Sequence, residues 1–483
     1  MDADSMIRLN GRVAEYLSST VVGAIDGRDN AGWTISAANG TTVAGRGLVA
    51  VRDYAPGDVI FADAPLLTSP RVLLADEDKR PMCAVCYRDD EPLRGCPGGC
   101  GWPVCDVVCA RSATHTRECE YMRRLRPKVV HRDDAGWTVG LYNAIAAVRG
   151  LVALKKGPFG FFLNVLQKKS TDKPVLEVEE LKRNVKSCLN EEDQLIMETA
   201  CKIMDANAFE AIITRKYSQV SLRGLYPVAA FMNHSCVPNT MHNFNGKLEM
   251  IVKASVPIRK GQEITSSYTH LIWSTPMRQH HLLISKQFIC TCRRCRDPQE
   301  FGTELSALNC TVINCQGRIL PVNPLDKTAV WLCKVCAKLI SHTEVAVLHK
   351  SVGSLMKKMQ SFHPKIVEAF LEKYKINTNN PFVVDFRIKF IWTSVNSGLT
   401  LEQLQYKEKL CTEILNLIQT LGLGKCRLFG LINKELQLVL KESYHRFDWD
   451  KTTKRVMQDQ IENLEVVFTT VLDQNTSSTG HEE

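Results

Sequence analysis

No stretch of about 18 uncharged apolar residues runs through the sequence, nor does it open on a basic start followed by roughly 7–15 apolar residues. Membrane spanning and secretion are therefore not expected, and the chain reads as intracellular, in cytoplasm, nucleus or both. In that reducing setting the 19 cysteines are expected as thiols or metal ligands, not disulfides. Long runs of one charge are missing too: the net charge of +9 is spread over 483 residues. Its densest patches are Arg123, Arg124, Arg126 and Lys128, then Lys155 with Lys156, and Arg293 with Arg294, which read as solvated faces. No cysteine cluster is followed by a basic recognition helix, which argues against direct nucleic-acid binding. What is present, 45% apolar and 23% charged residues, is ordinary globular composition, enough for roughly two to four domains.

The cysteines cluster. Cys83, Cys86, Cys96, Cys100, Cys105, Cys109, His115 and Cys119 are eight soft ligands in short-spaced pairs, enough for two tetrahedral zinc sites. Residues 89–101 are rich in Pro and Gly, with Leu93 the one large apolar side chain, so metal must supply the stability there. Structural zinc contributes on the order of 10 kcal/mol per site. The pattern resembles the MYND finger, a module of peptide and protein docking. That resemblance implies interleaved ligation, with Cys83, Cys86, Cys105 and Cys109 on one zinc and Cys96, Cys100, His115 and Cys119 on the other. Further on, Cys290, Cys292 and Cys295 offer three ligands and need a fourth, for which Cys236 is the natural candidate. Cys310, Cys315, Cys333 and Cys336 form two pairs and read as a zinc ribbon. Cys188, Cys201, Cys411 and Cys426 stand alone among apolar residues and read as buried thiols.

Residues 13–25 form a short amphipathic stretch. Gly45, Arg46 and Gly47 precede an apolar strand over residues 48–51, the Pro56–Gly57 turn and a second strand over 59–61. Similar turns and strands recur around Pro257, Gly261 and Ile264, and Asn245–Gly246 signals a two-residue hairpin before a strand over 248–252. Between these β regions Leu141, Ile145, Val148 and Val152 recur at helical spacing, and residues 177–186 read as a charged helix. Beyond residue 341 the period is helical again. Leu410, Ile414, Leu417, Ile418 and Leu421 share one face and Leu428, Ile432, Leu436 and Val439 another, with Gly422 and Gly424 between.

Residues 233–239 read NHSCVPN, a turn too polar for routine core. Residues 261–268 read GQEITSSY, ending a strand at Tyr268, and the cysteine trio follows. In this order, after Gly45-Arg46-Gly47-Leu48, the motifs resemble the SET fold. With the MYND finger inserted, residues 32–297 resemble the SMYD family, and the extra ribbon is most like its arthropod SmydA branch. The fold expected is α+β: a split SET β core with an inserted MYND finger, a post-SET zinc site, a zinc ribbon and a helical, TPR-like C-terminal domain. The segments are an N-terminal extension (1–31), the first SET part (32–80), the finger (83–119), a helical insert (120–200), the SET core (201–270), the post-SET region (271–297), the ribbon (300–340), the helical domain (341–474) and a disordered tail (475–483).

The resemblance implies an S-adenosyl-L-methionine-dependent protein-lysine N-methyltransferase acting on a histone or another protein, with partners recruited by the finger and the helical C-terminus. Gly45, Arg46, Gly47, Asn207, Asn233, His234 and Phe288 would hold the cofactor, Cys236 would complete the post-SET zinc, and Tyr268 would orient the reacting amine. Desolvation in an apolar channel favours the neutral amine that such chemistry needs. One position departs from the family pattern: Lys286 stands where many members have a channel-wall tyrosine. A cation there repels both sulfonium and substrate unless it turns to solvent. The other reading is therefore a catalytically degenerate SET/MYND scaffold, acting for example in transcriptional regulation.

Overall fold

The computed structural model describes residues 3–20, 32–37, 45–73, 81–89, 92–128, 136–155, 160–214, 219–359 and 363–472. Residues 21–25 of the amphipathic stretch, Lys156 and the 475–483 tail lie outside the described residues. Two compact units emerge, one of Met1–Asn30, Phe61–Met232 and Phe244–Ile251, the other of Ala31–Ile60, Asn233–Asn243 and Val252–Glu483. Among the described residues no helix is long and apolar enough to cross a membrane.

In the first unit the helix Ala3–Thr20 buries Leu9, Val13, Tyr16 and Leu17, the three-to-four spacing of one helical face. An antiparallel sheet places Gln219–Leu225 between Leu67–Pro70 and Phe209–Thr214. The helical insert contains Val139–Asn143, Ile145–Lys155, Leu176–Asn184 and Glu191–Asn207. Leu141, Ile145 and Val148 enter one core cluster with Met122, Leu181, Met197 and Trp102 of the finger, so the zinc module shares the unit's apolar interior. Cys201 is buried as expected, whereas Cys188 is exposed, because it falls in the loop between Leu176–Asn184 and Glu191–Asn207 rather than on a helix face. The Asn245–Gly246 turn is wider than the sequence signal: Leu248 takes a left-handed φ of 63°, the Asn245 side-chain oxygen accepts from the Lys247 and Glu249 N–H groups, and the strand starts only at Met250. A side chain that satisfies the turn's own backbone stabilises this longer loop.

Asp63 is fully buried in this unit. It accepts the Val228 and Ala229 N–H groups at 2.8 and 2.9 Å, with Tyr16 and Tyr226 beside it. Burial outweighs those hydrogen bonds and pushes its carboxyl up to about 7 from 3.8. Folding thus favours the protonated form, so this stability is present below the unfolded value and is lost as pH rises through about 7. Asp63→Asn should remove a pH-dependent difference on the order of 3 kcal/mol, read from urea midpoints of both proteins between about pH 5 and 8. Parallel curves for the two proteins would contradict it.

In the second unit Arg46–Ala50 pairs antiparallel with Trp33–Ala37 and with Glu263–Ser266, and Glu263–Ser266 pairs in parallel with the short Asn233–His234. Turns fall where the sequence sets them, with Gly57 at φ 105° and Gly261 at φ 82°, values that suit glycine. Leu308–Asn309, Arg318–Pro321, Trp331–Cys333 and Leu339–Ile340 form the ribbon as a four-stranded antiparallel sheet in chain order. Six longer helices follow, from His342–Lys358 to Lys451–Leu472, and Leu401–Thr420, Arg427–Arg446 and Lys451–Leu472 pack in succession. Leu410, Ile414, Leu417, Ile418 and Leu421 are all buried, as are Cys411 and Cys426.

Candidate metal centres and cofactor site

The finger's ligands are placed by two helix caps. Asp106 accepts the Cys109 N–H at 2.6 Å and starts the turn Val107–Ala110, while Ser112 accepts the His115 N–H and starts Ala113–Arg124. His115 and Cys119, four residues apart, then share a helix face. The result is two interleaved groups, Cys83, Cys86, Cys105 and Cys109, and Cys96, Cys100, His115 and Cys119, the ligand atoms of each within 4.8 Å of one another. His115 turns Nε2 toward Cys96 and Cys100, and its Nδ1 lies 3.9 Å from Glu118. Glu118 is itself held by Arg149, at 2.6 and 3.0 Å, and Arg149 continues to the Ala84 carbonyl and the Tyr87 hydroxyl. Sequence reasoning missed this carboxylate behind the ligand, although a Glu three residues after His115 is the signal for it.

The third group joins Cys236 to Cys290, Cys292 and Cys295, and the fourth is Cys310, Cys315, Cys333 and Cys336. Four soft donors in each of the four groups fit tetrahedral zinc. Around the third group the helix Thr275–Lys286 supplies two anchors. Arg278 donates to Cys236 Sγ at 3.2 Å and Cys295 Sγ at 3.5 Å, and Gln279 brackets the backbone N–H and carbonyl of Cys290. Arg278 and Arg294 both pair with Glu300, at 2.7 and 3.1 Å, with all three side chains fully buried. Arg294 is therefore a structural residue of the post-SET centre, not part of a solvated basic face. Removing one partner of such a buried group leaves an uncompensated charge, at about 3–5 kcal/mol.

Beside this centre the sequence motifs meet. An added Cβ at Gly47 would come within 2.6 Å of Glu263 Oε1 and 2.8 Å of Asn233 Nδ2, the ends of two side chains, so the strand passes close to that pair; Gly45 faces no such crowding. Asn233 donates to Glu263 Oε1 at 2.6 Å and to the Arg46 carbonyl at 3.1 Å, and the buried Glu263 Oε2 has no partner among the described residues. Asn239 clamps the same strand, accepting from Thr265 N–H and donating to the Glu263 carbonyl. His234 accepts the Tyr268 N–H at Nδ1, which puts its proton on Nε2, 3.2 Å from Cys236 Sγ. Its ring lies 5.2 Å from Tyr268 and 5.9 Å from Phe288. Phe288 follows Gln287, whose left-handed φ of 61° ends the helix. Burial raises the Tyr268 phenol well above its ordinary value, and the Glu263 carboxylate pushes the same way. Lys286 does not turn away: its ammonium sits over the Tyr268 ring, 5.3 Å from the centroid. Asn207 ends Glu191–Asn207 in the other unit, its amide donating to the Gln167 and Ile203 carbonyls.

A split sheet that carries an Asn-His strand against a glycine strand, closed by a four-cysteine centre, is the arrangement of a SET-domain protein, and the SET domain family model matches residues 45–269. The chain is 30% identical to SET domain-containing protein SmydA-8, isoform A, of Drosophila melanogaster, over 84% of this chain and 88% of that one. It therefore belongs to the SET and MYND domain (SMYD) family, in its SmydA branch. Other similar proteins are N-lysine methyltransferase SMYD2-A of Xenopus laevis, 26% identical over 68% of this chain and 74% of that one. Histone-lysine N-methyltransferase SMYD3 of Homo sapiens is 24% identical over 53% and 60%.

Proposed function

We propose that the protein transfers a methyl group from S-adenosyl-L-methionine to the lysine amine of a protein substrate. The observation that carries this reading is the junction at Asn233 and His234: the close pass of Gly47 by the Asn233–Glu263 pair on one side, and Tyr268 held through His234 on the other. The unpartnered Glu263 oxygen beside Asn233 suits a ligand bearing an ammonium group. The names of the SMYD2-A and SMYD3 relatives support the same activity.

When bound, S-adenosyl-L-methionine would supply an electrophilic methyl on a cationic sulfonium to the amine of the substrate. Gly45, Arg46, Gly47, Asn233, His234 and Phe288 are the residues for that cofactor, with Asn207 assigned by family resemblance. Tyr268, its phenol held protonated by burial, positions the amine through its hydroxyl and does not serve as base. The substrate is an intracellular protein, histone or other, met in cytoplasm or nucleus. The finger docks protein partners, for which the exposed Val107 and Val108 beside Cys109 are suited.

Incubating zinc-loaded protein with methyl-labelled cofactor and a panel of intracellular proteins, histones included, tests the reading: label on lysine supports it. One observation favours the scaffold reading, the Lys286 ammonium over Tyr268. If that cation only slows an active site, Lys286→Met relieves about 1 kcal/mol of repulsion and raises kcat about fivefold. Transfer undetectable in both proteins would point to the scaffold.

A further inference from the structure

Among the described residues of the second unit, one groove stands apart from another by its charge. The larger, 890 Å³, runs from the ribbon to the C-terminal helices and is lined by both signs, with Arg387 on Glu413 and Lys409 on Glu368. Most of its cations are thus already paired with carboxylates. The smaller, 720 Å³, begins at His234 and Ser235, passes the zinc ligand Cys292 and ends against Thr420, Leu421 and Gly422. Arg293, Arg294 and Arg296 line it, and no acidic residue does among the described residues.

Arg294 is committed to Glu300. Arg293 and Arg296 are exposed and have no ion-pair partner among the described residues. Of the nearby carboxylates, Glu300 is fully buried between Arg278 and Arg294, and Asp297 accepts the Gln299 and Phe301 N–H groups; neither lines the groove. An unneutralised pair of arginines in a concave wall attracts anionic groups and repels basic ones. His234, which lines this groove, also accepts the Tyr268 N–H, so the groove adjoins the transfer site proposed above.

We propose that this groove docks the acidic flank of the substrate, so that the protein selects lysines neighboured by Asp, Glu or phosphorylated residues. The proposal rests on the methyltransferase reading for what happens to the lysine, but not for the docking itself.

The test uses the full zinc-loaded chain and peptides that share one lysine and differ only in flanks: acidic, glutamine or basic. Acidic flanks should raise kcat/KM about tenfold over glutamine, chiefly through KM, and the preference should fade with salt. In an Arg293→Glu/Arg296→Glu protein with unchanged zinc content the order should reverse. Fluorescence anisotropy of the same labelled peptides, with S-adenosylhomocysteine present, reads docking without catalysis. If no peptide is methylated yet the acidic one binds the wild type and not the double variant, the transfer reading fails and the docking stands. Equal binding of all three peptides overturns the proposal. So does a double variant that keeps its peptide preference but loses cofactor affinity, which would give the groove to the cofactor.

Discussion

Cys236→Ser should lower the zinc content from four to three atoms per chain and bring methyl transfer below detection. The size of the effect follows from what meets at that sulfur. Cys236 is one of four ligands, accepts from Arg278 at 3.2 Å, and faces His234 Nε2 at 3.2 Å. Zinc binding of this kind contributes on the order of 10 kcal/mol, and without it Arg278, Arg294 and Glu300 lose the thiolates that balance their charge. His234 then loses the contact at Nε2 that faces its hold on Tyr268, so the damage reaches the transfer site. Elemental analysis with a thermal melt checks it; a variant holding four zinc atoms, or one transferring methyl normally with three, contradicts it.

Tyr268→Phe tests a different link and should leave the fold alone. The ring stays beside His234 and Phe288, 5.2 and 6.4 Å from them, and its backbone N–H keeps its bond to His234 Nδ1. Cofactor affinity and zinc content should therefore hold while kcat drops about a hundredfold, the cost of losing one orienting group in an in-line transfer. A fall in kcat/KM carried by KM alone would instead make Tyr268 a binding residue. An unchanged kcat would remove it from the reaction.

The candidate metal centres were legible because ligand spacing is nearly independent of tertiary packing: pairs a few residues apart chelate from one turn, and the sixteen candidate Cys and His side chains gather in four groups that could hold a metal. The NHSCVPN and GQEIT motifs were legible for a related reason, as paired strands bring Asn233 opposite Thr265 and His234 opposite Ser266. What escaped was long-range charge. Nothing near Arg278 announces that Glu300 will meet it, and Arg294, paired in sequence with Arg293, reads as solvent-facing until the fold encloses it. Glu263 stood in a quoted motif, yet its contacts to Asn233 and Gly47 depend on two strands from distant parts of the chain. The side-chain direction of Lys286 was open for the same reason.

The account stands most directly on cofactor binding at Asn233. Calorimetric titration of zinc-loaded protein with S-adenosyl-L-methionine, on wild type and Asn233→Ala, is the cleanest form, because His234 also faces a zinc ligand and would confound the two roles. Saturable one-site binding is expected in the wild type, and its loss in Asn233→Ala with zinc content unchanged. Folded wild-type protein that shows no binding, or a variant that binds equally well, would contradict it.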